Sequence, residues 1–270
     1  MRTNEKYASL KTIIKDLKRV VVAFSGGVDS TFLLKICVDT LGRENVLAFI
    51  GKSPTCPTRE IEDAKRLAVL IGAEYLIAET SEMDDPHFIE NNRSRCYFCK
   101  SHLFIRAREI AKQRGFLYVV EGSNLDDMDD FRPGRKACAE QDVRSPLLEA
   151  KLTKNEIREL SKRLLLPTYD KPSFACLSSR VPYGTSIDTT ILKKIERSED
   201  YIQSLGVRQV RVRYHGDTAR IEVLRKDFKI ILANKDTITD ALRQYGFVHV
   251  ALDLRGYQTG SMNMSSTLEN

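Results

Sequence analysis

The 270-residue chain contains no apolar run that approaches the roughly 20 residues needed to cross a bilayer. Residues 1–6 lead into a charged amphipathic segment and contain no apolar signal core. The sequence also lacks internal repeats and low-complexity tracts. These absences argue against a membrane-spanning helix and a repeat architecture, and they predict a cytoplasmic globular protein with no membrane partner.

A long basic run is absent as well. The net charge of +6 is spread over 43 basic and 37 acidic residues, which is typical of a mixed, solvated surface. An anionic substrate, either a nucleotide or RNA, is the alternative explanation for the positive charge. RNA recognition calls for a broad basic surface or an added RNA-binding module. Because the sequence shows neither, we expect no nucleic-acid partner.

Alternating strands and helices predict the fold of the first part of the chain. The predicted strands cover residues 19–24, 45–50, 74–78 and 116–120, and the predicted helices cover 7–17, 30–41, 58–71, 97–114 and 152–165. The last helix carries a capping box formed by Thr153 and Glu156. Such alternation implies an α/β fold in which a parallel sheet is covered by helices on both faces and binds ligands at the carboxyl ends of its strands.

The sequence changes in character near Pro172. A predicted helix at 188–205 is followed by predicted strands at 209–214, 219–223 and 248–254. We therefore expect an α/β domain at residues 1–172 and a second, smaller α+β domain at residues 173–270.

The first predicted strand runs into a glycine-rich turn, Ser-Gly-Gly-Val-Asp-Ser, that opens the next helix. Gly26 and Gly27 let the backbone approach an anion without a Cβ in the way, and N–H groups at a helix start favour phosphate. Ser25 and Ser30 add hydroxyl donors. Asp29 would repel a phosphate, so we expect it to act through Mg²⁺ or to position the loop. The alternative is a plain glycine turn with a capping serine. No lysine follows the glycines, which excludes the Gly-Lys-Ser/Thr ATPase loop.

Cysteines clustered in a cytosolic chain more often bind metal or do chemistry than form disulfides. Cys37 lies in an apolar helical stretch and is predicted to be core, whereas Cys56 and Cys138 lie in loop-like sequence. Cys176 lies among polar and cationic neighbours, a setting that favours a thiolate.

Cys96 and Cys99 form a CxxC pair, which places two thiols close enough to ligate one metal or cluster. Neither a second CxxC nor a histidine pair completes a four-ligand zinc site, although His102 lies one turn beyond Cys99. With Cys176 the pair would fit a [4Fe–4S] cluster that leaves one iron open. A redox pair, or two ordinary helical cysteines, fits the spacing equally well.

The glycine loop resembles the pyrophosphatase loop (PP-loop) of the superfamily that contains NAD synthetase, GMP synthetase and tRNA thiolases. This resemblance implies an enzyme that cleaves ATP to AMP and pyrophosphate and activates a carboxylate or carbonyl oxygen as an adenylate. The loop says nothing about the substrate.

Further segments resemble the LarE family, the ATP-dependent sulfur transferases that make the nickel-pincer nucleotide of lactate racemase. They lie at residues 131–135 (Phe-Arg-Pro-Gly-Arg), 144–147 (Arg-Ser-Pro-Leu), 176, 179–185 (Ser-Arg-Val-Pro-Tyr-Gly-Thr), 211–213, 219–222 and 252–254. The resemblance covers nearly the whole chain, and the block around Cys176 is its most specific part.

The resemblance implies that the substrate is pyridinium-3,5-biscarboxylic acid mononucleotide. ATP adenylylates one carboxylate, a sulfur nucleophile held by the enzyme displaces AMP, and a second round gives the bisthiocarboxylate. One form of the family has a single cysteine at the position of Cys176, which gives up its own sulfur. The other form has three cysteines that hold a [4Fe–4S] cluster carrying an extra sulfide. Because Cys96, Cys99 and Cys176 are all present, the resemblance implies the cluster-dependent form.

The resemblance also implies roles for other residues. Ser179, Arg180, Arg211 and Arg213 would bind the substrate phosphate, although the alternation of Arg211 and Arg213 is equally typical of an exposed basic strand face. Ser179 and Arg180 would also assist the nearby thiol of Cys176. Glu199 and Glu222 match family positions that bind metal. Without the resemblance, both would be interpreted as surface glutamates. Residues 122–127 follow the fourth strand and would border the ATP or cluster site, unless they form a plain helix-capping loop.

The implied partners are the proteins of the nickel-pincer pathway and further copies of this chain, in this family a ring-shaped hexamer. Two other functions compete with sulfur transfer to a pyridinium mononucleotide. One is a tRNA thiolase of the same superfamily, which also pairs this loop with a three-cysteine cluster. The other is a sensor that binds ATP or an iron–sulfur cluster and releases no pyrophosphate.

Overall fold

The computed structural model describes residues 2–128, 134–172 and 175–258, and the chain divides into two units. The first unit comprises Met1–Phe88 and Arg93–Phe174, and the second comprises Ile89–Asn92 and Ala175–Asn270. Within the described ranges, no helix is long and apolar enough to span a membrane. Residues 131–133 of the Phe-Arg-Pro-Gly-Arg segment, and residues 173 and 174 before Cys176, lie outside the described residues.

The first unit is built on a parallel four-stranded sheet. Its strands are β1 (Val20–Ala23), β2 (Val46–Lys52), β3 (Glu74–Glu79) and β4 (Tyr118–Val120), in the order β3-β2-β1-β4. Every neighbouring pair is parallel. This arrangement confirms the α/β fold with a parallel sheet that the alternation of elements predicted.

Helices cover both faces of this sheet. The helices of the first unit are α1 (Thr3–Leu17), α2 (Val28–Leu41), α3 (Thr58–Ile71), α5 (Arg95–Gln113), α6 (Gly134–Glu140), α7 (Pro146–Glu149) and α8 (Lys154–Arg163). A further short helix, α4 (Pro86–Ile89), lies where the chain leaves the first unit. Val20 and Val22 enter a core shared with α1, α2, α3 and α8, whereas Val21 enters a second core shared with α5 and α6. Because successive side chains of a strand point to opposite faces, β1 is buried on both sides, which explains its uninterrupted β-branched sequence.

Two cysteines belong to these cores. Cys37 is fully buried in α2, as its apolar neighbours predicted. The prediction that Cys138 lies in a loop was wrong, because it is buried in α6. That helix spans seven residues, too few for apolar periodicity to be visible in the sequence.

The capping box at the start of α8 is formed as predicted. The Glu156 N–H donates to Thr153 Oγ1 at 3.3 Å, and the Thr153 N–H donates to Glu156 Oε2 at 2.9 Å. We expect Thr153→Ala to lower the free energy of unfolding by about 1 kcal/mol, because one N–H at the helix start loses its acceptor. Urea denaturation would measure the change, with Thr12→Ala, an exposed position inside α1, as the control. Equal midpoints for the two variants would contradict the assignment.

The second unit contains a three-stranded mixed sheet. Its elements are α9 (Thr189–Ser204), β5 (Val210–His215), β6 (Thr218–Val223), α10 (Phe228–Ala233), α11 (Lys235–Gln244) and β7 (His249–Leu252). β6 lies in the centre, antiparallel to β5 and parallel to β7. Its apolar residues pack with α9, α10 and α11 into a separate core. The smaller α+β fold predicted for the end of the chain is confirmed.

A short segment from the middle of the chain is part of the second unit. Asn91 is fully buried, and its side-chain amide donates to the carbonyls of Pro182 and Thr185, both at 2.8 Å. Two backbone hydrogen bonds add to these contacts, from the Gly184 N–H to Asn91 O and from the Ile187 N–H to Ile89 O. Residues 89–92 therefore brace the loop that follows Arg180.

Candidate functional site

The glycine-rich loop lies at the carboxyl end of β1, directly before α2. Gly26 has a φ of +69°, and a Cβ at this residue would lie 3.2 Å from Ala64 Cα in α3. Both features require glycine. Gly27 is the residue that precedes α2, so the unbonded N–H groups of the first helical turn open at the loop.

The two serines of the loop lie together at this helix start. Their hydroxyl oxygens are 3.2 Å apart. Ser25 Oγ also accepts the Gly27 N–H at 3.4 Å, and Ser30 Oγ lies 3.3 Å from Gly27 O. Hydroxyl groups rotate to suit a partner, so both can turn towards an anion. The structure therefore brings Ser25, Gly26, Gly27 and Ser30 into one loop.

Asp29 lies beside this loop and forms an ion pair with Lys154, the first residue of α8. Asn124 Nδ2 lies 3.5 Å from the other carboxylate oxygen. Burial raises the pKa of Asp29, while the charge of Lys154 opposes that shift. A partly desolvated carboxylate held next to a cation is a suitable ligand for a divalent metal ion.

A second lysine contacts the loop from the end of the first unit. Lys171 Nζ donates to Gly26 O at 3.3 Å and to Glu60 Oε2 at 2.9 Å. Lys154 and Lys171 thus supply the positive charge that the loop's own sequence lacks. Sequence reasoning missed both, because 125 and 145 residues separate them from their partners in the loop.

The segment after β4 borders the loop, as its position predicted. A Cβ at Gly122 would lie 3.0 Å from Ser30 N and 3.2 Å from the carbonyl carbon of Asp29. Glycine is therefore needed at residue 122 for β4 to pass this close to α2. Asn124, two residues on, is the residue that contacts Asp29.

The described part of the first unit contains a cavity beside the loop and a larger one away from it. A cavity of about 140 Å³ adjoins the loop, with mainly apolar walls that include Phe24, Phe49, Ala64 and Leu103. A larger one, of about 650 Å³, lies between β3 and α5 and contains no residue of the loop. The smaller cavity is the one relevant to a nucleotide, because it opens where the phosphates are expected and offers apolar surface to a base.

Cys96 and Cys99 lie in the first turns of α5, where they are exposed and half-buried respectively. A spacing of three places both thiols on one side of the helix. His102 contacts Ser81 Oγ through Nδ1 at 3.1 Å and Asp85 Oδ2 through Nε2 at 3.0 Å. Among residues 2–128, 134–172 and 175–258, no group of three His, Cys, Asp or Glu side chains is arranged to hold a metal ion.

Cys176 belongs to the second unit and is half-buried, directly before the 3₁₀ turn Leu177–Arg180. Burial raises the pKa of the thiols of Cys37 and Cys138, the latter to about 11. Those two thiols stay protonated at neutral pH. Cys176 is therefore a better candidate for a nucleophile than either.

The arginines assigned to the substrate phosphate are buried. Arg211 and Arg213 lie on one face of β5 and are 6% and 5% exposed, which excludes an exposed basic strand face. Arg213 Nη2 lies 2.8 Å from Glu222 Oε2. Arg211 lies over the ring of Tyr257, and burial together with the charge of Arg180 lowers its pKa to about 10. The charges of Arg180 and Arg211 therefore repel each other at this face.

Glu199 and Glu222 are fully buried, so the surface alternative is excluded for both. Arg180 binds Glu199 through two nitrogens, Nε to Oε1 at 2.9 Å and Nη2 to Oε2 at 3.0 Å. Glu222 accepts hydrogen bonds from Arg213 and Arg220. Both glutamates act as counter-ions in this structure, and metal binding by either would require arginines to move. Their assignment as metal ligands remains a prediction.

Comparison with known proteins places the chain in a family. The NAD synthase family model matches residues 4–114. The chain is 40% identical over 260 residues to an uncharacterised protein of Synechocystis, covering 96% of this chain and 97% of the relative. It is 38% identical over 262 residues to the pyridinium-3,5-bisthiocarboxylic acid mononucleotide synthase of Lactiplantibacillus plantarum, covering 97% of this chain and 95% of that one. An uncharacterised protein of Methanocaldococcus jannaschii is 30% identical over 258 residues, covering 94% of this chain and 98% of that one.

The match to the synthase extends through both units, and the match to the NAD synthase model includes the glycine loop. The chain therefore belongs to the LarE family of ATP-dependent PP-loop enzymes.

Proposed function

We propose that this chain adenylylates the carboxylates of pyridinium-3,5-biscarboxylic acid mononucleotide and converts them to thiocarboxylates. The observation that carries the proposal is the loop at the end of β1, where glycines, two serine hydroxyls and a helix start meet beside two lysines. This is the chemistry of a phosphate site. We assign the substrate by similarity to the pyridinium-3,5-bisthiocarboxylic acid mononucleotide synthase of Lactiplantibacillus plantarum, which matches this chain through both units. The same extent of similarity favours this substrate over tRNA.

The residues of the first unit account for the activation step. The substrate carboxylate attacks the α-phosphorus of ATP, the bond to the β-phosphate breaks, and pyrophosphate leaves. Ser25, Ser30 and the N–H groups of α2 would hold the phosphates, with Mg²⁺ bound by Asp29. Lys154 and Lys171 would exchange some of their carboxylate contacts for phosphate oxygens. The apolar cavity beside Phe24 would take the base.

Sulfur transfer follows activation. A sulfur nucleophile held by the enzyme attacks the acyl carbon of the adenylate, and AMP leaves with the electron pair of the broken C–O bond. The bond between the sulfur and the enzyme then breaks with its electron pair left on the sulfur, which gives the free thiocarboxylate. Arg211 and Arg213 would attract the substrate phosphate through their positive charges.

The proposed partners are those that the family implies. They are proteins of the nickel-pincer pathway and further copies of this chain in a hexamer.

We further propose that Cys96, Cys99 and Cys176 hold a [4Fe–4S] cluster. The support for this proposal is the CxxC pair on one side of a helix start and the position of all three thiols outside the hydrophobic cores. Bound there, the cluster would supply a sulfide to the reaction. The enzyme would then be catalytic, with no need to consume the sulfur of Cys176.

Anaerobic reconstitution with iron and sulfide tests this part of the proposal. We expect about four irons per chain in the wild type and a loss of iron and of thiolation in Cys96→Ala, Cys99→Ala and Cys176→Ala. Cys138→Ala, a buried thiol outside the set, is the control and should keep both. A wild type without iron whose Cys176 loses the mass of one sulfur in a single turnover would overturn the cluster and leave the sacrificial reaction.

A further inference from the structure

The backbone around Cys176 is held from the protein interior by the side chain of Arg180. This arginine is fully buried. Its Nη1 nitrogen lies 2.5 Å from the carbonyl oxygen of Ala175, 2.7 Å from that of Cys176 and 3.0 Å from Ser179 Oγ. Its other two nitrogens bind Glu199. All three nitrogens therefore bind acceptors of the protein.

The carbonyl of Cys176 accepts more than one hydrogen bond. Besides Arg180 Nη1, it accepts the Ser179 N–H at 3.0 Å and the Ser179 hydroxyl at 2.8 Å. The carbonyl of Ser179 in turn accepts a hydrogen bond from Arg213 Nη1 at 3.0 Å. Two buried arginines thus hold three carbonyls of the short stretch that contains the thiol.

Glu199 connects this stretch to the sheet of the second unit. Its Oε1 atom accepts the N–H of Val212, in β5, at 3.0 Å as well as the Nε–H of Arg180. Burial would raise the pKa of Glu199, but the charge of Arg180, together with that of Arg211 and the Val212 N–H, lowers it overall. The carboxylate therefore stays ionised, and the planar guanidinium is fixed in one orientation by a bidentate contact.

We propose that Arg180 is a positioning residue for the thiol of Cys176, with Glu199 as its support, and that it does not bind the substrate phosphate. The carbonyls of Ala175 and Cys176, which flank the Cα atom of Cys176, are both held by Arg180. The direction of the Cα–Cβ bond of Cys176 is therefore fixed, and the sulfur can move only by rotation about χ1. This inference rests on the proposed function, in which the sulfur that Cys176 holds, either as its own thiol or as a ligand of the cluster, must meet an acyl adenylate. A reacting atom displaced by about 1 Å costs roughly a hundredfold in rate.

Arg180→Lys tests the proposal, because lysine keeps the charge and loses the planar fork. We expect the kcat of thiocarboxylate formation to fall roughly a hundredfold, while the KM of the pyridinium substrate and the rate of ATP–pyrophosphate exchange, which reports adenylate formation, stay unchanged. Arg208→Lys, an exposed arginine just before β5, is the matched control and should match the wild type. If Arg180 bound the substrate instead, KM would rise and ATP–pyrophosphate exchange would fall in parallel with sulfur transfer, which would overturn the proposal.

A second variant covers the case in which Arg180→Lys does not fold. Arg180→Met combined with Glu199→Leu removes both charges at once, a replacement that buried ion pairs commonly tolerate. We expect this protein to fold and to show the same loss of sulfur transfer with intact ATP–pyrophosphate exchange. Thermal unfolding checks the fold, and full sulfur transfer in the folded double variant would refute the positioning role.

Alkylation of Cys176 by iodoacetamide, followed by mass spectrometry, separates this inference from the proposed function. We expect faster alkylation in both Arg180 variants than in wild type or Arg208→Lys, because a released backbone lets the thiol sample more orientations. A wild type that shows no ATP–pyrophosphate exchange with the pyridinium substrate would overturn the proposed function, and the alkylation rates would still decide the role of Arg180. Equal alkylation in all four proteins would overturn the positioning role.

Discussion

The Cys176→Ala variant will form the acyl adenylate and release pyrophosphate in the presence of ATP and the pyridinium substrate, but it will yield no thiocarboxylate. The loop at the end of β1, which we expect to perform the activation, is untouched by this change. The group that holds the sulfur is removed, and loss of such a group lowers the rate by more than about a thousandfold. Pyrophosphate release measures the activation step, and the mass of the product measures sulfur transfer.

The control for this prediction is Cys138→Ala. Cys138 is buried in α6, and burial raises its pKa to about 11, so it remains a protonated thiol at neutral pH. We expect the control to keep both steps. Thiocarboxylate formed by Cys176→Ala at the wild-type rate would show that the sulfur is held elsewhere.

The Asp29→Asn variant will lose the activation step itself. Asparagine keeps the shape of the side chain and removes the charge that we expect to bind Mg²⁺, while Lys154 loses its counter-ion. We expect AMP formation to fall on the order of a hundredfold or more, because the charge on the leaving pyrophosphate loses the metal that stabilises it. Exchange of labelled pyrophosphate into ATP, followed across a range of Mg²⁺ concentrations, measures this loss.

Asp39→Asn is the matched control for that variant. Asp39 lies on the same helix, α2, where it forms an exposed pair with Lys35. Its loss should leave pyrophosphate exchange unchanged, because surface pairs contribute little. If Asp29→Asn exchanged pyrophosphate as fast as Asp39→Asn, a role of Asp29 in binding Mg²⁺ would be excluded, and Asp29 would only position the loop.

Local patterns predicted most of the elements. β1 was visible as a β-branched run buried on both faces, α3 as an apolar stripe over residues 58–71, and the start of α8 as its capping box. The short helices α4, α6 and α7 were not predicted, because four to seven residues are too few to show a period of 3.6. The sequence therefore revealed the layers of the fold better than the connections between them.

The site was predictable only where it is local in sequence. The glycine loop was found because its six residues are contiguous, whereas Lys154 and Lys171 reach it from distant parts of the chain. Strand alternation placed Arg211 and Arg213 on one face correctly. The burial of these two arginines could not be predicted from the sequence, because it depends on the pairing of β5 with β6, where Arg211 lies opposite Glu222. The proposed role of Arg180 likewise rests on acceptors that only the folded chain brings to it.

The contacts of residues 89–92 limit how this protein can be recombined. A gene fragment that encodes only the stretch after residue 174 would omit Asn91, and the carbonyls of Pro182 and Thr185 would lose the amide that now binds them. The second unit is therefore encoded by two separate stretches of the gene. A single crossover between relatives near residue 174 would combine a bracing segment from one parent with a loop from the other. Only exchanges that keep the two matched would preserve the support beneath the loop after Arg180.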